Sequence, residues 1–383
     1  MLLVSICTLG SVVIGNVWAV ILGRPARVAV WLVFGFMVAV VIMSNDAAHL
    51  PDMDAYRAGY YEGAGLRVNE LGYSTLVSLA RAANVSFESF RTAMVCGGLV
   101  LVLVAGLILT KRAASYLSLY FVYPFLLDLV QFRDFVAMAL VLWAVILLSR
   151  ETRRGSIGFW CLMVIAASIH TLAIVYVPLF WFRRRLSPSQ SRILLFVFLV
   201  IAFLFVGNRD ALTGLVQWLA VGDERLTSYS EVLTGYGFVV PWVIWLLGLL
   251  AVGKARTELA EYANDVMIVP PTARLLGFVE LVYRLNVMAA VYLPFMLLDA
   301  TYNRLLRNVI PVNLLALLVW LDARAASGGL SLDARASRGG TSLVAWATMW
   351  LAWLSMFAYL VWGPYLDAIV LPIFSAIVPL GGR

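Results

Sequence analysis

Long apolar runs constrain this chain more than any other feature. Backbone N–H and C=O groups in a lipid bilayer must be satisfied within the protein, and helices of about 20 residues meet that demand. The runs therefore predict an all-α, polytopic membrane protein of about 11–13 transmembrane helices, in a single membrane domain spanning 1–383. They lie roughly at 2–22, 28–44, 92–110, 115–130, 134–149, 157–182, 192–207, 237–253, 276–298, 305–321, 342–361 and 366–380.

The remaining composition excludes several function classes. Charged residues make up 13% of the chain, about half of what a soluble domain carries. The net charge of +7 comes from short basic turns between apolar runs, so it does not indicate a nucleic-acid partner. No phosphate-binding glycine loop is present, which argues against a nucleotide-driven pump. Disulfides and metal clusters are not expected, because all three cysteines lie in apolar runs, and a histidine-based metal site is not expected with only two histidines. These residues are Cys7, Cys96, Cys161, His49 and His170.

The basic turns also predict how the chain crosses the membrane. They are consistently cytoplasmic only if 157–182 is a helical hairpin that turns back near His170. This places the N-terminus outside and the C-terminus in the cytoplasm. It also exposes two polar outer loops, 45–91 and 208–236. The Ser- and Gly-rich loop 322–341, which contains a tandem Leu-Asp-Ala-Arg-Ala repeat, is predicted to be a flexible cytoplasmic linker.

Outer loop 45–91 concentrates groups suited to carbohydrate chemistry. Carboxylates accept from hydroxyls or act as bases, arginines hold phosphates, and aromatic rings stack on sugar faces. The alternative is a solvated connection between two helices. Here the carboxylates are Asp52, Asp54 and Glu70, and the tyrosines include Tyr56 and Tyr73.

Ionisable residues inside apolar runs form a second set of candidates, because such residues are costly in a membrane. Arg133 lies between two apolar runs, and the alternative to a functional role is an interfacial arginine paired with Asp128 or Asp134. His170 is either a packing residue or a general base that titrates near neutral pH. Glu280 and Arg284, four residues apart on one run, are interpreted as a structural pair. Arg304 and Arg307 break the positive-inside pattern, which favours anion binding.

Four segments in order resemble the EpsG-type, Wzy-like polysaccharide polymerases of bacterial envelopes. The first combines Asp52-x-Asp54-x-Tyr56 with Glu70-Leu-Gly-Tyr73. The others are Gln131-Phe-Arg133, Ser168-Ile-His170-Thr-Leu-Ala and the tyrosine-bearing loop Tyr229–Tyr236. Two positions depart from the family pattern, Asp134 where Gln is usual and Ile169 where Phe is usual.

The resemblance implies polymerisation of polyprenyl-diphosphate-linked repeat units. The reaction would be an inverting, metal-independent glycosyl transfer on the outer face of the bacterial plasma membrane, in a layout similar to GT-C transferases. Donor and acceptor glycans are both lipid-linked, so membrane lipid is a further partner. A chain-length regulator protein is a candidate partner that the sequence leaves open. No cofactor is implied.

Site roles follow from joining the resemblance to the residues. The base is sought among His170, Asp54, Asp52 and Glu70, with His170 ranked first and Asp54 second. Diphosphate binding is assigned to Arg133, Arg304, Arg209 and Arg307. Sugar contacts are assigned to Tyr56, Tyr73, Tyr229 and Gln131.

Three alternatives stay open at the level of the sequence. Two are enzymes: a transferase that adds one sugar from a polyprenyl phosphate, and a ligase that moves a finished glycan. The third is a flippase or transporter of lipid-linked glycans. Polar groups gather on one predicted face and no repeated halves are visible, both of which argue against transport.

Overall fold

The computed structural model describes residues 27–47, 50–63, 70–183, 187–208, 210–211, 214, 238–265, 270–297, 300–326 and 365–377. Every element in these ranges is helical, which confirms the all-α prediction. The α-helices in chain order are α1 (Arg27–Met43), α2 (Met53–Glu62), α3 (Leu71–Ala82), α4 (Phe87–Leu109), α5 (Ala113–Tyr120), α6 (Leu126–Val130), α7 (Phe132–Leu148), α8 (Arg153–Ile169), α9 (Leu179–Phe182), α10 (Pro188–Gly207), α11 (Val239–Asp265), α12 (Pro270–Ala289), α13 (Arg304–Arg307), α14 (Ile310–Ala326) and α15 (Leu371–Ile377).

Seven helical segments of the described ranges are long and apolar enough to cross a membrane. In the segment Ser189–Val206 only 11% of the residues are buried within the protein, so this helix presents an almost wholly apolar surface to its surroundings. Such a surface is expected where the surroundings are lipid. The protein is a polytopic membrane protein, as predicted. The seven segments are Ala29–Asp46, Phe87–Leu109, Ala113–Val130, Ser189–Val206, Val239–Glu261, Leu275–Leu297 and Arg304–Ala325.

The chain forms two compact units. The first comprises Met1–Val177 with Phe357–Arg383, and the second comprises Pro178–Met356. The hairpin topology, the loop boundaries and the single-domain assignment from the sequence stay predictions.

In the first unit, α7 packs against α4 and α8, and α3 packs against α8. Helix α4 begins where the sequence indicates, because Ser86 Oγ accepts a hydrogen bond from the N–H of Ser89 at 3.2 Å. Helices α4 and α7 approach closely at Gly98, where a Cβ atom would lie 2.6 Å from the Phe135 ring. This close packing fixes the start of α7, which carries Arg133.

In the second unit, α11, α12 and α14 pack against one another. Asn286 and Asn313 exchange amide hydrogen bonds of 2.6 and 3.0 Å between α12 and α14, a common way of joining helices in a membrane. Glu280 pairs with Arg284 at 2.7 Å, and it also accepts from Arg256. The predicted structural pair is therefore confirmed, with a third member from α11.

The apolar run 157–182 is interrupted at His170. Helix α8 ends at Ile169, His170 is extended (φ −148°, ψ 116°), and Thr171–Tyr176 continue as a 3-10 helix. The broken helix near His170 is confirmed.

Candidate functional site

A buried ionic cluster in the first unit is centred on Glu70. This carboxylate lies at the N-terminal boundary of α3, and its side chain is 1% exposed. Its Oε2 accepts from Arg133 Nη1 at 2.8 Å, and its Oε1 lies 2.8 Å from His170 Nδ1. One carboxylate, from the loop predicted to face outward, thus contacts both candidates from apolar runs, which are 63 and 100 positions away in sequence.

The helix break at His170 serves this cluster. In an uninterrupted helix the N–H of Thr171 would bond to a carbonyl one turn back. Instead it donates to Glu70 Oε1 at 3.3 Å. Ser168 also donates to its own helix, to the carbonyl of Ile165 at 2.8 Å, an arrangement that bends helices. The interruption therefore turns both a ring nitrogen and a backbone N–H towards one carboxylate.

Arg133 is held between two aromatic rings. Its Cζ lies 4.9 Å from the centroid of Tyr56 and 4.8 Å from that of Tyr73. The Tyr56 ring in turn packs on Phe132 at 4.8 Å. These contacts and the Glu70 ion pair fix the plane of the guanidinium, as expected at a site that binds oxyanions.

The electrostatics of the cluster indicate that Glu70 is ionised and which ring nitrogen of His170 carries a hydrogen. Burial acts to raise the pKa of Glu70, but the hydrogen bond from His170 and the charge of Arg133 outweigh it and lower the pKa to about 2. Glu70 is thus ionised near neutral pH, and it must accept a hydrogen from His170 Nδ1. In a neutral imidazole, Nε2 is then the acceptor. The nitrogen that remains for proton transfer is therefore His170 Nε2.

His170 Nε2 faces a second carboxylate. Its distance to Asp134 Oδ1 is 4.0 Å, longer than a hydrogen bond. Asp134 is buried, at 3% exposure. Asp134, one of the two positions that depart from the pattern of the similar family, therefore lies beside His170 Nε2.

A close approach between α3 and α8 brings Glu70 to His170. A Cβ atom on Gly72 would collide with the Oγ of Ser168, and it would lie 3.1 Å from the Ser168 backbone carbon. Only glycine allows the two helices to come this near. The same four-residue segment therefore supplies the carboxylate (Glu70), the close approach (Gly72) and one of the two aromatic rings that contact Arg133 (Tyr73).

Asp52 and Asp54 do not join this cluster. Asp52 precedes α2 in a left-handed conformation (φ 62°) and is exposed. The Asp54 side chain is 91% exposed and lies 3.5 Å from Arg57. The first of these two carboxylates marks a helix start, and the second holds a neighbouring arginine.

The other residues singled out from the sequence are dispersed. Gln131 immediately precedes α7, next to the cluster, and Tyr73 is 3% exposed beneath Arg133. Arg304 and the buried Arg307 belong to α13 of the second unit. Arg209 and Tyr229 lie outside the described residues. Their assigned roles stay predictions.

Arg91 is a buried charge that the sequence interpretation missed. It is 1% exposed, and it donates to Asn45 Oδ1 at 2.5 Å, Ser44 Oγ at 3.0 Å and the Leu129 carbonyl at 3.2 Å. Helix α4 starts four residues earlier, at Phe87, so Arg91 lies inside the helix and not before it. The signal was available, since Ser86 followed by Glu88 marks a helix start.

Comparison with known proteins gives a match over most of the chain. The model of the EpsG family matches residues 28–323, a range that includes every member of the buried cluster. No curated protein and no solved structure shows a significant match.

Proposed function

This chain belongs to the EpsG family, a family of Wzy-like polysaccharide polymerases, and we propose that it joins polyprenyl-diphosphate-linked oligosaccharide repeat units into a cell-envelope polysaccharide. The observation that carries the proposal is the contact of Glu70 with both Arg133 and His170. This contact brings a proton acceptor, His170, and a cation, Arg133, together at one buried site. Glycosyl transfer from a lipid diphosphate needs both.

The proposed reaction is a displacement at the anomeric carbon of the donor glycan. A hydroxyl oxygen of the acceptor repeat unit forms a bond to that carbon and loses its proton to His170 Nε2. The bond from the anomeric carbon to the diphosphate oxygen breaks, and its electron pair leaves with the polyprenyl diphosphate. Attack opposite to the leaving group inverts the configuration. The donor is already activated, so no nucleotide is consumed.

In this scheme Glu70 is a positioning residue and not the base. Its pKa of about 2 makes it a weak proton acceptor near neutral pH, and its two oxygens are already occupied by Arg133, His170 and Thr171. A carboxylate on Nδ1 orients the imidazole and stabilises the imidazolium that forms. This supports His170 as the base ahead of Asp54.

Arg133 is proposed to stabilise the leaving diphosphate. One of its five N–H groups is used by Glu70, which leaves donors for phosphate oxygens. The ion pair of Arg133 and Glu70 has little net charge, so the scheme requires further cations to neutralise the leaving diphosphate. The assignment of Arg304, Arg209 and Arg307 to diphosphate binding stays a prediction from the sequence.

The proposed setting is the outer face of the bacterial plasma membrane, where lipid-linked repeat units and a chain-length regulator would meet the enzyme. Support comes from the apolar helices and the family, together with the placement of basic turns in the sequence.

The length of the glycan product tests the proposal. Purified protein in vesicles is supplied with lipid-linked repeat units, and the products are separated by size. A polymerase gives a ladder with the spacing of one repeat. A shift of a single sugar or transfer to a non-lipid acceptor would indicate another transferase, and the absence of any new glycosidic bond would overturn the proposal in favour of transport.

A further inference from the structure

A cavity of about 200 Å³ lies in the first unit beside the buried cluster. Helix α2 contributes Met53, Asp54 and Arg57 to its wall, and α4 contributes Glu88 and Arg91. Asn45, from the 3-10 turn after α1, completes its polar lining. None of these residues belongs to the Glu70 cluster.

The floor of the cavity is rigid. Arg91 donates to an amide oxygen, a hydroxyl and a backbone carbonyl, and Asn45 donates in turn to Thr92 Oγ1 at 2.8 Å. These groups are fixed before any ligand arrives. A site that is ordered in advance loses less conformational entropy on binding.

The rim of the cavity is exposed and electrically balanced. Arg57 contacts Glu88 at 3.1 Å and Asp54 at 3.5 Å, and the three side chains are 45%, 38% and 91% exposed respectively. With Arg91, the lining carries two carboxylates and two guanidinium groups. A lining without net charge does not favour an anion such as a diphosphate, and it offers both donors and acceptors to a neutral ligand.

The cavity adjoins the proposed reaction centre through two structural connections. Tyr56, next in sequence to Arg57, lies against the Arg133 guanidinium. Arg91 bonds to the carbonyl of Leu129, four residues before Arg133. The cavity wall and the cluster are thus linked by one neighbouring residue of α2 and by one hydrogen bond.

We propose that this cavity is a subsite for one uncharged sugar ring of the lipid-linked glycan. The inference rests on the proposed function and deepens it. The volume is below the range of about 300–1,000 Å³ typical of drug-sized ligands, so one ring fits better than an oligosaccharide. Hydroxyls would donate to Asp54 and Glu88 and accept from Arg57, while Met53 and Leu50 provide apolar wall for the C–H face. Asp54 is then a sugar-binding residue.

Two variants test the subsite. Asp54→Asn keeps the shape but removes a charged acceptor, and Ala47→Leu fills the cavity, since Ala47 also lines it. Asp54→Asn should raise KM for a glycan substrate by about tenfold, the effect of one lost hydrogen bond to a charged group. Ala47→Leu should raise KM at least as much, because its side chain occupies the space of the sugar ring. Both should leave kcat within about twofold. The matched controls are Glu62→Gln and Ala55→Leu, two exposed positions of α2 outside the cavity, which should retain the KM of the wild type.

The assay separates the two sources of the sugar. Initial polymerisation rates are measured with the repeat unit varied at saturating preformed lipid-linked polymer, and then with the polymer varied at saturating repeat unit. A higher KM in the first series places the acceptor sugar in the cavity, and in the second the donor sugar. Unchanged KM in both series, for variants that melt at the wild-type temperature, would overturn the subsite while the polymerase stands. Lack of wild-type polymer would instead refute the proposed function itself.

Discussion

Glu70 is the residue on which the buried cluster depends. A carboxylate that is 1% exposed in a membrane protein is costly, and a buried ion pair is often no more stable than apolar residues of the same volume. Replacing the whole cluster by apolar residues would therefore cost little stability, although removing Glu70 alone would leave the buried charge of Arg133 uncompensated. The proposed reaction supplies a reason for pairing a carboxylate with a histidine and an arginine at this place.

The low pKa of Glu70 predicts how its replacement changes stability with pH. Its pKa falls from 4.5 to about 2 on folding, so the ionised group stabilises the protein above about pH 4.5, and this stabilisation disappears as the pH falls towards 2. Glu70→Gln should lose about 3 kcal/mol at pH 7. The melting-temperature difference between wild type and variant in detergent should shrink below pH 4.5. If the difference in melting temperature stayed constant down to pH 3, the pKa of Glu70 would not be lowered by His170 and Arg133.

Arg133 makes a geometric contribution that a lysine cannot reproduce. Its planar group lies between Tyr56 and Tyr73 while bonding to Glu70. Arg133→Lys keeps the charge but loses the planar guanidinium group and its paired N–H donors. We expect its kcat for polymerisation to fall by at least tenfold, in a protein that still inserts into membranes. Full polymer output from Arg133→Ala would refute the diphosphate assignment.

At the scale of elements, the site depends on the close packing of α3 against the broken end of α8. Gly72→Ala should force the two helices apart, because the new Cβ meets Ser168, and overpacking of this kind costs about 1–3 kcal/mol. It should also separate Glu70 from His170 and reduce the polymerisation rate. Gly97→Ala on α4 is the matched control, since a Cβ atom at that position would have no neighbouring atom within 4 Å, and it should be neutral. Equal melting temperatures and rates for both variants would contradict this packing.

The sequence predicted some elements of the site better than others. The break at His170, the start of α4 at Ser86 and the Glu280–Arg284 pair follow from local rules of hydropathy, capping and helix spacing. The partner of Arg133 does not follow from such rules, because sequence spacing favours the nearby Asp128 and Asp134, whereas the partner is Glu70, 63 residues away. Local spacing cannot reveal contacts that only tertiary packing creates. The cavity at Arg91 was missed for the same reason, because its walls come from three separate segments.

At the scale of the whole molecule, the predicted topology depends on the segment 157–182. The structure shows the interruption at His170, and the hairpin predicts that Arg154 and Arg184 both face the cytoplasm. Arg184 lies outside the described residues. The test uses a variant without native cysteines that carries a single cysteine at one of these two positions. With a thiol reagent that cannot cross the membrane, neither cysteine should react in intact cells, and both should react after the cells are opened. Opposite accessibility would mean one straight crossing and would invert every later loop.

The proposed reaction takes place at the Glu70–His170–Arg133 cluster, with His170 as the base. General base catalysis contributes about 10²–10⁴-fold. His170→Ala should therefore lose at least about a hundredfold in kcat while donor binding survives. Part of the rate should return as pH rises and hydroxide accepts the proton instead.

The most direct test compares kcat for His170→Ala and Asp54→Asn in reconstituted vesicles, with saturating lipid-linked repeat unit and with donor binding measured for both proteins. We expect the kcat of His170→Ala to fall by at least about a hundredfold, while Asp54→Asn keeps the kcat of the wild type and differs only in KM. Normal polymerisation by His170→Ala, together with an inactive Asp54→Asn that still binds donor, would contradict the role of His170 as the base and assign that role to Asp54.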